Sequence, residues 1–148
     1  MSLPAILTAS AVLEEANKVA LGINHAYDEP PEAIMDLPVA IRYSEGAPFM
    51  SASRLLGRYN LYDFKIEVHF ARGVLQEAVE DTLPVIEAYQ MLYANNLSIS
   101  GTCDVSGFRE PAMEGPLVLR YKEGHDITIG IIFYLWAKEM LDDITVNL

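Results

Sequence analysis

Few residues in this chain have types and spacings that could do chemistry. Glu67 and His69 are two apart on a segment that alternates like a strand, so their side chains stand side by side. Such a pair is able to share a metal or relay a proton, although a plain polar strand face has the same spacing. The other histidines, His25 and His125, have no second ligand at metal spacing, and His125-Asp126 falls where a hairpin turn is expected. Cys103 is the only cysteine. It lies among apolar residues with no basic partner nominated nearby, which reads as a buried, inert thiol rather than a nucleophile. Gly22, Gly46, Gly57 and Gly73 are isolated, so no glycine-rich phosphate loop is present. The residues nominate no catalytic, metal-binding or cofactor-binding set.

The elements that must position these groups are clearer. Tyr62, Phe64, Ile66, Val68 and Phe70 alternate with Asp63, Lys65, Glu67 and His69, which predicts a strand with one dry and one wet face. Residues 75–96 then carry a helical stripe through Leu75, Val85, Ile86, Tyr89, Leu92 and Tyr93, with Pro84 inside it. The unbroken phase favours one kinked helix. A first helix from Ser2 to Gly22 is expected to bury Ile6, Ala9, Val12, Leu13, Ala16, Val19 and Ala20. Glu14, Glu15, Asn17 and Lys18 would face water, with Ser2 as the N-cap and Gly22 as a left-handed C-terminal cap.

Short strands are expected at 23–27 and 37–43, the latter with Pro38 at its start. Residues 44–60 read either as a protruding arm or as an ordinary loop. The stretch 101–105 reads as a strand bent at Gly101, residues 109–115 as a loop, and 116–121 as a strand. A turn at 122–125 leads to a last strand, with Ile127, Ile129, Ile131, Phe133, Leu135 and Ala137 on one face. Ile132, Tyr134 and Trp136 make its other face apolar too, so it is central in a covered sheet or meets another subunit. Residues 139–148 read as a flexible tail. Together these give an α+β fold, a mostly antiparallel sheet packed against an N-terminal helix and a long central helix, in one domain spanning 1–148.

Composition bounds the function. The chain has 148 residues, is 51% hydrophobic and carries a formal net charge of -11. That acidity disfavours a groove for nucleic-acid phosphates, yet it suits a channel wall to which DNA must not adhere. No basic leader starts the chain, and the longest apolar run, 129–137, falls far short of the roughly 20 residues a membrane-spanning helix requires. A soluble protein is expected, made inside the cell.

Certain phrases resemble the tail-terminator family of long-tailed bacteriophages. Leu21-Gly22-Ile23, Tyr27-Asp28-Glu29-Pro30-Pro31 and Leu37-Pro38-Val39-Ala40 are similar to its N-terminal half. Asn96-Leu97-Ser98-Ile99-Ser100-Gly101-Thr102 is similar to the turn after its long helix. Leu119 to Gly124 with Ile127 to Ile131 is similar to its closing hairpin. The resemblance implies a structural virion protein without catalytic residues or cofactor. It would form a hexameric ring at the head-proximal end of the tail, capping the tube and ending its polymerisation. Tail tube protein and a head-completion or connector protein would be its partners, with DNA passing through the lumen unbound and no membrane involved. The residues then expected at an oligomer or partner interface are Phe49, Met50, Arg54, Arg58, Tyr59, Asp63, Lys65, Glu67, Ile132, Tyr134 and Trp136. Another head–tail connector or neck protein, a small metal-dependent enzyme using Glu67 and His69, and a module binding an apolar ligand are the alternatives.

Overall fold

A computed structural model describes residues 3–45, 49–51, 58–71, 75–122 and 126–140. In chain order the elements are α1 (Leu3–Ala16), α2 (Lys18–Leu21), β1 (His25–Tyr27), β2 (Val39–Ser44), β3 (Phe49–Ser51), β4 (Arg58–Phe70), α3 (Leu75–Ala94), β5 (Val105–Tyr121) and β6 (Asp126–Met140). The fold is α+β. One sheet runs β1-β2-β4-β6-β5, with β3 added beside the start of β4. Only β1 and β2 are parallel, while the β2–β4, β3–β4, β4–β6 and β5–β6 pairs are antiparallel.

The alternation of β4 dictates which face carries the main core. Tyr62, Phe64, Ile66, Val68 and Phe70 are all buried, against Ile6 of α1 and Val85, Tyr89 and Tyr93 of α3. Each such side chain stabilises the fold by about 1.5–3 kcal/mol relative to exposure. Its neighbour β6 contributes Ile131, Phe133, Leu135 and Ala137 to the same layer, and Phe133 stacks on Tyr89 with centroids 4.7 Å apart. The doubly apolar last strand is therefore central, as expected from its residues. α3 is a single helix through Pro84.

Five expectations are corrected. The first helix buries only part of the stripe its apolar residues suggest: Ile6 is buried and Ala9 and Leu13 pack on the core. Ser10 and Glu14 are inside, Val12 is 63% exposed and Val19 is 91% exposed. The helix breaks at Asn17, whose N–H bonds to the Glu14 carbonyl and whose side-chain amide bonds to the Leu13 carbonyl. A new four-residue turn then runs to Gly22. Gly22 caps it at φ 73°, with the Gly22 and Ile23 N–H groups bonded to the Val19 and Lys18 carbonyls. This is a Schellman end, in the position the glycine predicts.

Of the stretch 101–105 only Val105 is in a strand, as the first residue of β5. Residues 97–104 form a turn in which Ile99, Ser100 and Gly101 have φ of 46°, 56° and 79°. The Ile99 side chain is fully buried there. Nor is 109–115 a loop, because β5 runs through it with register breaks between Phe108 and Met113 and between Glu114 and Leu117. Pro111 and Pro116 fall at those breaks, and β5 is an edge strand, the one place where a missing N–H disrupts no outer ladder. The supposed tail residues Glu139 and Met140 belong to β6. The Ser2 cap, the turn at 123–125 and the rest of that tail lie outside the described residues.

The wet face of β4 is the fifth correction. His69 is fully buried and the Glu67 side chain only 13% exposed. A second, smaller core covers that end of the sheet: Val39, Ile41 and Tyr121, with Ile34 and Leu37 from the β1–β2 connection packed on them. The Tyr121 hydroxyl donates to the Pro31 carbonyl, tying the connection down.

Candidate functional site

On the side of the sheet away from the helices, strand pairing assembles six of the expected interface residues. Asp63 lies opposite Trp136, Lys65 opposite Tyr134, and Glu67 opposite Ile132. Successive pairs of one face of an antiparallel ladder touch, so these six form one contiguous patch. Ile132 is buried at one end of it, while Asp63, Lys65, Glu67, Tyr134 and Trp136 are half-buried.

Residues that the chain alone does not nominate complete the patch. Arg109 bonds to Glu45, lies 3.9 Å from Asp63, and places its guanidinium 5.1 Å from the centre of the Tyr134 ring. Glu114 accepts a hydrogen bond from the Tyr134 hydroxyl, which pushes that hydroxyl's pKa up to about 12. Lys65 sits 3.1 Å from Glu67 and 5.1 Å from the centre of Tyr43. Arg109 and Glu114 were hidden because 109–115 reads as a loop, which gives their side chains no assigned face. The Trp136 indole lies against the backbone of Gly107, where an added Cβ would come within 2.8 Å of the ring.

Phe49, Met50, Arg58 and Tyr59 are placed elsewhere. They lie on the β3–β4 arm, where Met50 pairs with Tyr59 and Ser51 with Arg58. Their side chains, and all of Arg54, fall outside what is described.

The Glu67–His69 pair is real and gains a third member. His69 Nε2 is 3.1 Å from Glu67 Oε1, and its Nδ1 is 2.6 Å from the Thr128 hydroxyl. An ionised carboxylate only accepts, so Nε2 donates to Glu67, while Nδ1 and the Thr128 hydroxyl share the second hydrogen bond. This hydroxyl–imidazole–carboxylate order resembles a nucleophile relay, but no substrate reaches it. His69 and Thr128 are both buried, with the His69 ring edge-on to Tyr121 at 6.0 Å. Burial alone would raise the Glu67 carboxyl, but hydrogen bonds from His69 and Lys65 outweigh it and the net direction is down. His25 lies between Glu15 and Asp36, each 3.7 Å from a different ring nitrogen, so the two carboxylates cannot converge on one ion. Among the described residues no group of three or more His, Cys, Asp or Glu is placed to hold a metal. Burial and Asp104 push the Cys103 thiol up to about 11, which leaves it protonated and unreactive.

The most concentrated polar cluster lies inside the main core, and nothing in the local pattern of the chain points to it. Arg42 of β2 and Glu14 of α1 are both fully buried and form an ion pair. The Tyr89 hydroxyl donates to one Glu14 oxygen at 2.6 Å, and Tyr93 donates to the other. Arg42 also donates to the Ser10 hydroxyl at 2.7 Å and to the Tyr27 carbonyl at 2.9 Å. Arg42 Nη2 faces Glu14 as a charge contact rather than in hydrogen-bonding alignment. Burial disfavours charge on Arg42, yet Glu14, Tyr93 and Tyr89 together more than reverse this and the net direction is upward. Burial and Glu14 hold both tyrosines well above their ordinary range, so they stay protonated donors. The cluster ties α1, α3 and the sheet together and opens to no cleft.

The outer surface of the helical layer is apolar. A groove of about 350 Å³ between α2 and α3 is lined by Asn17, Ala20, Leu21, Ala88, Met91 and Leu92, among others. It continues past Ala20 and Leu21 into a second hollow of about 280 Å³ beside Phe70, Asp81 and Pro84. Among the described residues no helix is long and apolar enough to cross a membrane. Compared with protein-family models and with curated protein sequences, the chain matches none.

Proposed function

We propose that this chain is a structural subunit of a phage tail, closing with its copies into a hexameric ring. The ring caps the tail tube, ends its polymerisation and offers the joining surface for the head-side connector. The observation that carries this reading is the patch on the second sheet face. It combines half-buried Tyr134 and Trp136, a buried isoleucine and Arg109 with pre-formed ion pairs, and aromatic residues and arginine are enriched at protein interfaces. The phrases shared with the tail-terminator family supply the kind of assembly. The net charge of -11 suits a lumen through which DNA passes without sticking.

Light scattering and negative-stain imaging test the proposal, on the chain alone and mixed with tube protein from the same phage. Closed rings are expected in at least one condition. A monomer in both, with no binding to tube protein, contradicts it. A metal-dependent enzyme at Glu67 and His69 is the competing reading, favoured only by their 3.1 Å contact. It requires added zinc or manganese to raise the melting temperature by mass action.

A further inference from the structure

We propose that the groove between α2 and α3 receives the β3–β4 arm of a second copy of this chain. This rests on the ring reading and names the two patches that meet.

The helical layer leaves apolar surface outside while it buries charge inside. Turned to bury Val12, α1 would have given an ordinary apolar interface with the sheet. Instead Ser10 and Glu14 are inside, while Val19 of α2 is 91% exposed and Met91 is 66% exposed in the groove wall. Apolar surface kept outward at that cost marks a place where another chain packs. The rim of this surface is acidic. Lys18 is the sole cation among the residues of the three helices. Glu80, Asp81 and Glu87 are exposed on α3, and Asp81 lines the second hollow.

The arm has the complementary chemistry. In a chain of net charge -11, residues 46–60 contain no acidic side chain and carry Arg54 and Arg58 among Phe49, Met50, Leu55, Leu56 and Tyr59. Its paired residues lie beyond the last β2–β4 partner, Phe64, so the arm extends past β2.

Arg58 cannot reach the acidic end of its own groove. That end lies beside Phe70, and Arg58 and Phe70 are the two ends of the 13-residue β4. At about 3.3 Å per residue they stand roughly 40 Å apart. A cationic arm against Asp81 therefore comes from another molecule. Two different patches in contact make a head-to-tail interface, the kind that closes into a ring of more than two copies.

Charge reversal tests this, read by light scattering over a dilution series. Asp81→Arg and Arg58→Glu are each expected to weaken assembly by at least about ten-fold, and the double variant to recover most of the loss. Val19→Asp, at a fully solvated position, should also dissociate the assembly while leaving the melting temperature unchanged. An assembled wild type whose mass ignores Asp81→Arg and Val19→Asp, or single losses that the double variant does not recover, overturns the docking and leaves the ring reading standing. A wild type that stays monomeric with and without tube protein overturns both.

Discussion

The buried Glu14–Arg42 pair is the residue-scale feature on which most depends. A charge pair with both members fully buried tolerates joint replacement better than the loss of one partner, which strands the other charge in the core. Arg42→Met is expected to cost about 3–5 kcal/mol, measured by urea denaturation. Glu14→Gln with Arg42→Met should recover part of that loss. Equal or greater destabilisation in the double variant would show that the tyrosines, rather than the pair, set the energy. Glu67 gives a pH prediction. Its folded carboxyl is held low by His69 and Lys65, so its contribution to stability is complete above the ordinary carboxylate pKa. That contribution is lost as pH falls through the depressed folded value. Glu67→Gln should flatten the acid limb of stability against pH, with little change in its slope near neutrality. At Gly107, an added Cβ would strike the Trp136 ring at 2.8 Å, and overpacking of this kind costs about 1–3 kcal/mol. Gly107→Ala should lower stability and shift the emission of this single tryptophan towards the red as the ring is pushed into water.

Among the elements, β4 and α3 are legible because one signal decides each. Every other residue of 62–70 is apolar, and tertiary packing obeys that pattern on the helix side of the sheet. α1 misleads for a physical reason. Its apolar residues Val12, Ala16 and Val19 are helix-spaced, but Asn17 breaks the helix between them, and Arg42 of β2 draws Ser10 and Glu14 inward. A partner 28 residues downstream of Glu14 leaves no mark in local periodicity. β5 misleads through its prolines, which normally end strands but are tolerated at the bulges of an edge. His69 was legible as a partner of Glu67 and illegible as buried, because its cover comes from Tyr121 and the β1–β2 connection. Asn17→Leu follows from this account: it removes the amide bond to the Leu13 carbonyl and favours a continuous helix. It should raise helical signal in circular dichroism while weakening the Gly22 cap, with a net loss of thermal stability.

For the whole molecule, the division of surfaces matters most. Helices cover one face of the sheet, a half-buried aromatic and charged patch occupies the other, and an apolar groove with acidic rim lies outside the helices. The patch residues come together across β4 and β6 because alternation and strand pairing leave no other arrangement. Which neighbour covers them is a question of assembly. The most direct measurement is the mass of the protein by native mass spectrometry, alone and with tube protein, with imaging of the same samples. The account predicts closed hexameric rings in at least one of the two samples. A protein that remains monomeric in both, and does not associate with tube protein, contradicts it.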